Sequence, residues 1–144
     1  MSLRPFAFVT LLASTLPALG LAQTATSAPP RLELELNGVQ DVGTACRLTF
    51  LVQNETGAAI DQSVFETVVF DTSGNVVTLS LFDFRELPAE RPRVRQFELP
   101  GMACDSLGQV LINGAHSCLV AASESKICDQ ALSLSSRHRV ELLG

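Results

Sequence analysis

Leucine and glutamate alternate strictly along a short segment around residue 34. Leu32, Leu34 and Leu36 are separated by Glu33 and Glu35. Side chains in an extended strand alternate between its two faces, so this spacing places the leucines on one face and the carboxylates on the other. The segment therefore predicts a half-buried β-strand, with one face against a core and the other in water.

Similar strand signals recur along the chain, bounded by turn residues such as the Asn-Gly pair at 37–38 and the loop at 71–75. The segment 46–53 is almost continuously apolar, which favours a central strand covered on both faces. Residues 119–130 have room for a helical turn. We predict strands at 32–36, 46–53, 63–71, 76–84, 93–99 and 107–113, and a last one between 131 and 143.

The predicted strand 76–84 changes its pattern part of the way along. Its first half alternates aliphatic and hydroxyl residues, as Val77-Thr78-Leu79-Ser80-Leu81. Its two aromatic residues, Phe82 and Phe84, fall on the opposite parity. Because an inserted residue reverses the parity of a strand, this change predicts a bulge or bend.

About seven short strands, with turn signals roughly every eight to twelve residues and no long amphipathic helix, indicate the fold class. We predict an all-β domain, an antiparallel two-sheet sandwich stabilised by two disulfides.

The cysteines number four, an even count that is typical of disulfides in a small exported domain. Four cysteines allow three pairings, and strand order is needed to choose among them. If successive strands alternate in direction, the second and the sixth run the same way, which brings Cys46 and Cys104 to one end of the sandwich. Cys118 and Cys128 then flank the next connection at the other end. We therefore predict the pairs 46–104 and 118–128.

Residues 1–22 have the layout of a cleavable signal peptide. Arg4 precedes an uncharged, mostly apolar stretch over 5–20, and Gly20 and Ala22 supply small residues before a cut that would leave Gln23 first. The alternative, a membrane anchor, needs about 20 apolar residues, and this stretch is shorter. We predict a signal peptide at 1–22, a flexible tether at 23–30 and the sandwich at 31–144. The location is then periplasmic or secreted, without a membrane span after cleavage.

The net charge of the chain after signal cleavage argues against some classes of partner. Loss of Arg4 with the signal leaves nine of the ten basic residues against fifteen acidic ones, a net charge near -6. Such a surface argues against nucleic acid and anionic lipid as partners. The chain also has no Trp and no Tyr, which argues against a carbohydrate-binding module.

Few residues suggest metal binding or catalysis. His116 with the cysteines is a candidate metal site, but thiolates outside the cytoplasm oxidise to disulfides and the usual ligand spacings are missing. Ser117, His116 and His138 would suit a small exported enzyme, yet no Gly-x-Ser-x-Gly turn accompanies them. We expect no catalytic residue, no cofactor and no metal.

Arg91, Arg93 and Arg95 are the strongest candidates for a binding surface. They are spaced two residues apart, so an extended strand would project all three guanidinium groups from one face. They could bind an anionic ligand or an acidic partner. The alternative is that neighbouring glutamates neutralise a solvated edge, which discourages aggregation between strand edges. Those glutamates are Glu86, Glu90 and Glu98.

Two shorter motifs have structural alternatives. The spacing of Asp71, Ser73 and Asn75 resembles part of a calcium loop, but the loop is short and lacks a terminal glutamate, so a hairpin turn is favoured. The triplet Asn54-Glu55-Thr56 matches a glycosylation acceptor, and a turn that ends a strand explains it equally well.

Residues 44–100 resemble the exported immunoglobulin-like domains of the FxLYD type. The resemblance is carried by an Asn-x-Thr-Gly turn at 54–57, then Val68-Val69-Phe70-Asp71-x-x-Gly74-Asn75-Val76-Val77, and a proline-marked crossing into an apolar strand. It implies an immunoglobulin-like sandwich in the cell envelope that acts as a binding or accessory module. We expect its partner to be another envelope protein.

Overall fold

Two β-sheets packed face to face form the domain. The structure is a computed structural model that describes residues 25–144, so the predicted signal segment 1–22 lies outside the described residues. The strands are β1 (Arg31–Val42), β2 (Ala45–Glu55), β3 (Gln62–Asp71), β4 (Val76–Asp83), β5 (Arg93–Pro100), β6 (Leu107–Val120), β7 (Ser123–Glu124), β8 (Leu132–Ser136) and β9 (Glu141–Leu143). A 3-10 turn (Cys104–Ser106) precedes β6, and α1 (Ile127–Gln130) precedes β8.

The first sheet has the order β5-β2-β1-β8, and the second has the order β4-β3-β6-β7 with β9 also paired to β6. Only the β1–β8 and β6–β9 pairs are parallel among the described strands. The predicted all-β, mostly antiparallel two-sheet architecture is therefore confirmed. Residues 25–144 contain nine strands instead of the expected seven, because a two-residue β7 is added and the last strand is divided.

The core lies between the sheets and is built by alternation along each strand. The three leucines of β1, Leu32, Leu34 and Leu36, are fully buried, as the sequence predicts. β2 is central in its sheet, but its burial also alternates, with Leu48 and Phe50 inward. The prediction that β2 is covered on both faces is wrong, because only one layer packs against this sheet.

The predicted turn at residues 37–38 is also wrong, because β1 continues through it to Val42. The pairing with β2 shifts by one residue between Leu36 and Gly38, which is a β-bulge. A Cβ on Gly38 would lie 3.3 Å from the Cβ of Thr49, a tight contact that favours a residue without a side chain at the bulge. The chain reverses instead at residues 43–44, where Gly43 has a φ of 59°.

The C-terminal part differs from its predicted outline in two ways. β6 continues past residue 113 to Val120, and the last strand is split into β8 on the first sheet and β9 on the second. The predicted helical turn is present as α1. No helix within residues 25–144 has the length and apolar character that crossing a membrane requires.

Both disulfides have the predicted pairing. Cys46 is bonded to Cys104 with a Cα–Cα distance of 4.9 Å, and Cys118 to Cys128 with 6.1 Å. Cys46 pairs across the strands with Leu99, near the end of β5, so the chain leaving β5 brings Cys104 beside the start of β2. The first bridge therefore joins the first sheet to the segment that enters β6.

Candidate binding surface

Strand β4 has its polar residues turned toward the core and its aliphatic residues turned toward solvent. Thr78 and Ser80 are half-buried, whereas Val77, Leu79 and Leu81 are 49%, 56% and 50% exposed. The pairing with β3 is continuous from Thr78 to Asp83, so the bulge expected from the change of pattern is wrong at that place. The irregularity lies instead at Val77.

Two aromatic side chains explain this arrangement. Phe82 and Phe84 are buried and lie within an aromatic cluster, where both rings contact Phe50 edge-on at 6.2 and 5.3 Å between centroids. Phe82 also stacks on Phe97 of β5 at 4.2 Å. Because side chains alternate with a period of two, turning the aromatics inward turns the aliphatic residues of β4 outward.

The outward residues of β4 continue into a row of apolar side chains across the second sheet, which we call the apolar ladder: Leu79, Val68, Leu111 and Leu143. Val68 of β3 pairs with Leu79 on one side and with Leu111 of β6 on the other, and Leu111 pairs with Leu143 of β9. Val68 is only 8% exposed, yet it lies outside the main core cluster. Its ladder neighbours, and not the opposite sheet, therefore cover it.

The two sheets also differ in charge. The five strands of the second sheet contain no Lys or Arg, and their charged residues are Glu66, Asp71, Asp83, Glu124 and Glu141, with one histidine, His116. The first sheet contains four arginines, and ion pairs such as Arg47–Glu98 at 2.7 Å lie on its outer face. One outer face is thus a balanced, solvated charge surface, and the other is apolar with only acidic charges.

The open edges of the sheets differ in the same way. β5, at the edge of the first sheet, carries Arg93, Arg95, Glu98 and Pro100, which are the residues that usually protect an edge strand from further pairing. β4, at the edge of the second sheet, has no charged residue and no proline from Val76 to Phe82. Apart from the irregularity at Val77, β4 therefore lacks the features that usually protect an edge strand.

Two clefts lie along the open side of the sandwich, between the edges of β4 and β5. One, of about 520 Å³, is lined by Leu81, Asp83 and Phe97 among others. The second, of about 440 Å³, is lined by Thr78, Ser80 and Met102 among others. The inward face of the β4 edge is therefore reachable from solvent as well as the outward one.

Two of the three arginines of the row lie on β5, and the third lies in the loop before it. Arg93 and Arg95 share parity with the buried Leu99, so they lie on the face of β5 that turns toward the other sheet. Arg95 donates from Nε to the carbonyl of Phe84 at 2.6 Å and from Nη2 to the carbonyl of Glu86 at 3.0 Å. It thereby ties β5 to the chain that follows β4. Arg91 lies in the preceding loop, exposed.

The other candidate residues are not assembled into a site. All four cysteines are in disulfides, so the thiolates of the alternative metal site at His116 are not free. Within residues 25–144 no cluster of His, Cys, Asp and Glu has the geometry to hold a metal ion. Ser117 Oγ donates to Gln62 Oε1 at 3.0 Å, so its hydroxyl proton is held by an amide oxygen.

Asp71 closes the β3–β4 hairpin. Its Oδ1 accepts the backbone amides of Asn75 and Ser73, each at 2.9 Å. The hairpin interpretation of this loop is therefore supported over the calcium fragment. The amide of Asn75, then its side chain, and to a lesser extent the amides of Ser73 and Gly74 hold the pKa of the Asp71 carboxyl below its ordinary value.

We expect this hairpin to lose stability in acid. A carboxyl with a lowered pKa in the folded state contributes stability above its unfolded pKa, and this contribution disappears as the pH falls through the folded pKa. The stability advantage of the native protein over Asp71→Asn should therefore shrink as the pH falls from the unfolded pKa of Asp71 through its lower folded pKa. A carboxyl titration by NMR checks the shift directly. Asn75→Ala should move the Asp71 pKa part of the way back, and an unmoved pKa would contradict the assigned cause.

Asn54 is a buried structural residue. It is 1% exposed, and its Nδ2 donates to the carbonyls of Ala58 at 2.8 Å and Leu87 at 2.7 Å. Its Oδ1 accepts the hydroxyl of Thr56 at 2.7 Å. Since glycosylation uses the same Nδ2 atom, the folded domain does not offer this site to a glycosyltransferase, and the turn interpretation of the triplet is supported.

We expect Asn54→Ala to lower the free energy of unfolding by about 2–3 kcal/mol, because it removes one buried hydrogen bond from each of the carbonyls of Ala58 and Leu87 and the acceptor of the Thr56 hydroxyl. Urea denaturation of both proteins measures the loss. Gln53→Ala is the matched control, since Gln53 is exposed on the same strand and should change stability by less than about 0.5 kcal/mol. Equal losses in the two variants would contradict this role for Asn54.

Comparison with known proteins finds no matching family model, no matching curated protein and no matching solved structure. The candidate surface therefore rests on the geometry of this chain alone.

Proposed function

We propose that this chain is an exported β-sandwich module of the periplasm or the extracellular space, that it binds another envelope protein, and that it is not an enzyme. The observation that carries the proposal is the apolar ladder. Leu79 and its neighbours on β4 are about half exposed, although the same strand could have turned them inward at the cost of exposing Phe82. An exposed apolar surface beside an unprotected edge is typical of a protein-binding face.

The chemistry of the described residues supports binding over catalysis. Ser117 is hydrogen-bonded to Gln62, the cysteines are in disulfides, and Arg95 donates hydrogen bonds to backbone carbonyls. The side chains best suited to covalent or acid–base chemistry thus have structural partners. The exposed surface that remains is suited to contact with a protein.

Export is supported by the two disulfides, since such bonds form and persist in oxidising compartments. We expect the protein recovered from its native compartment to begin at Gln23 and to have no free thiol. N-terminal sequencing and thiol titration of the denatured protein measure both. A retained residue 1 in a membrane fraction would contradict export with cleavage.

The strand order supports an immunoglobulin-like assignment similar to the FxLYD type. In such domains strands A, B and E are neighbours in one sheet, and strand C pairs with strand F and, in some, with an additional strand C′. Here β1, β2 and β5 take the places of A, B and E, and β4, β3 and β6 take those of C′, C and F. The departure is at the C-terminus, where β8 and β9 pair in parallel with β1 and β6.

Photo-crosslinking in the producing cell tests the proposed function. A photoreactive residue at Leu79 should give a discrete crosslinked protein band. The matched control is the same residue at Val94, which is equally exposed at 56% and lies on the edge strand of the other sheet. The binding face should crosslink at 79 and not at 94.

The result that would contradict the proposal is equal, diffuse labelling from both positions, because exposure alone would then explain it. A discrete band from position 94 alone would place the binding face on the first sheet.

A further inference from the structure

We infer that β4 accepts an extended segment of the partner as an additional strand, and that this segment combines outward apolar side chains with Lys or Arg. This inference rests on the proposed function and specifies how the partner binds. Strand addition supplies affinity through backbone hydrogen bonds and specificity through alternate side chains.

The edge is available over a sufficient length. β4 pairs with β3 on one side, and none of the strands within residues 25–144 pairs with its other side. The other edges are less suited to strand addition: β7 has two residues, β9 has three, β8 has five, and β5 carries charges and a terminal proline. β4 offers seven residues without a charge before Asp83.

The side chains of an added strand would have different surroundings on its two faces. Its outward residues would lie beside Leu79 and Leu81 and would extend the apolar ladder by one strand. Its inward residues would lie beside Thr78 and Ser80, next to the cleft of about 440 Å³ between β4 and β5. The expected segment therefore alternates apolar residues with threonine or serine.

The charges around β4 indicate which charge the residues at the ends of the partner's segment should carry. Glu66 is paired in register with Leu81, and Asp83 ends β4, so two carboxylates border the outward apolar residues. The strands of the second sheet contain no Lys or Arg to balance them, and the one basic residue close in sequence, Arg85, follows β4 and lines the first cleft together with Leu81 and Asp83. A partner segment with a basic residue at its ends gains attraction to both groups, whereas an acidic one is repelled.

The same charges disfavour a second copy of this chain as the occupant. The whole chain has a formal net charge of -5. Joining two copies through β4 would bring their acidic sheets together without a basic residue from either sheet. We therefore commit to a partner of opposite charge, and self-association is an outcome of the test.

The test uses three synthetic peptides with the same alternating centre and different ends: Lys-Thr-Val-Thr-Val-Thr-Lys, its counterpart with serine ends and its counterpart with glutamate ends. Binding to the chain that begins at Gln23 is measured by fluorescence anisotropy, and the site is mapped from amide NMR signals. We expect the lysine peptide to bind most tightly and the glutamate peptide at least about tenfold more weakly, with the difference narrowing as salt is added. The shifted amides should be those of β4.

Two protein variants and one peptide variant sharpen the test. Leu79→Lys should abolish binding of the lysine peptide, whereas Val94→Lys, the matched change on β5, should not. Asp83→Asn should weaken binding of the lysine peptide several-fold and leave the affinity of the serine peptide unchanged. Methylation of alternate peptide nitrogens on the side that faces β4 should abolish binding, because the backbone donors are then lost.

Equal affinity for all three peptides would overturn the inferred charge of the partner, and unchanged binding after methylation would overturn strand addition. A dimer in sedimentation that Leu79→Lys dissociates would overturn the inference in favour of a second copy. If no peptide binds although residue 79 crosslinks in the cell, this inference fails and the proposed function stands. If the crosslink is also absent, both fail.

Discussion

Replacing Cys46 and Cys104 together by alanine is expected to lower the free energy of unfolding by about 4 kcal/mol. The bridge closes a loop with a sequence separation of 58 residues, and its loss restores that loop's entropy to the unfolded chain. Removing both cysteines avoids an unpaired thiol that could exchange with the other disulfide. Urea denaturation followed by circular dichroism measures the change.

The second disulfide is the internal control. Its sequence separation is 10 residues, so replacing Cys118 and Cys128 by alanine should cost about 3 kcal/mol, roughly 1 kcal/mol less. A larger loss from the shorter loop would show that packing, and not loop entropy, determines the contribution of these bridges. A peptide map of the native protein that links Cys46 to Cys118 or Cys128 would contradict the pairing itself.

Phe50→Ala is expected to cost about 3–5 kcal/mol, the range typical of a buried phenylalanine. Phe50 is fully buried on β2, and its ring contacts those of Phe82, Phe84 and Phe97 at 5.3–6.2 Å between centroids. The side chain therefore joins the first sheet to the aromatic residues that fix the orientation of β4. The loss should appear in denaturation and as line broadening of the β4 amides.

The neighbouring residue on the same strand provides the control for Phe50. Leu51 turns to the outer face of the first sheet, where it pairs with Val94, and is only half-buried. Leu51→Ala should cost about 1 kcal/mol or less, because little of the side chain leaves water on folding. Comparable losses from both variants would contradict the assignment of Phe50 as the centre of the aromatic cluster.

Much of the architecture is predictable from the sequence, because alternation and turn chemistry are local. The leucines of β1 predict its buried face without further information. The turn at residues 37–38 is not predictable in this way, because Asn-Gly favours a hairpin but also fits a bulge. The register of β1 against β2 decides between them, and that register depends on contacts between strands such as the one between Gly38 and Thr49.

The candidate surface was not predictable from the pattern of β4 alone. A row such as Val77, Leu79 and Leu81 favours an inward position, and only the position of Phe82 and Phe84 in the aromatic cluster reverses it. The available signal was that Thr78, Ser80, Phe82 and Phe84 share one parity, so a single uninterrupted strand accommodates all four on one face. The apolar ladder itself requires the register of β4, β3, β6 and β9, which no local pattern contains.

The arginine row shows the same limitation. Equal parity correctly puts Arg93 and Arg95 on one face, but parity alone does not state which face is the inner one. Leu99 and the carbonyls after β4 determine that, since Arg95 donates to Phe84 and Glu86 across the open side of the sandwich.

We expect the outer face of the second sheet to be exposed in the isolated protein and covered in the cell. Hydroxyl-radical footprinting with mass spectrometry measures this by comparing oxidation of Leu79 and Val94 in purified protein and in producing cells. Both are 56% exposed, so each should be oxidised in the purified protein. We predict that Leu79 becomes protected in cells while Val94 does not. Oxidation of Leu79 to the same extent in both settings would contradict the account.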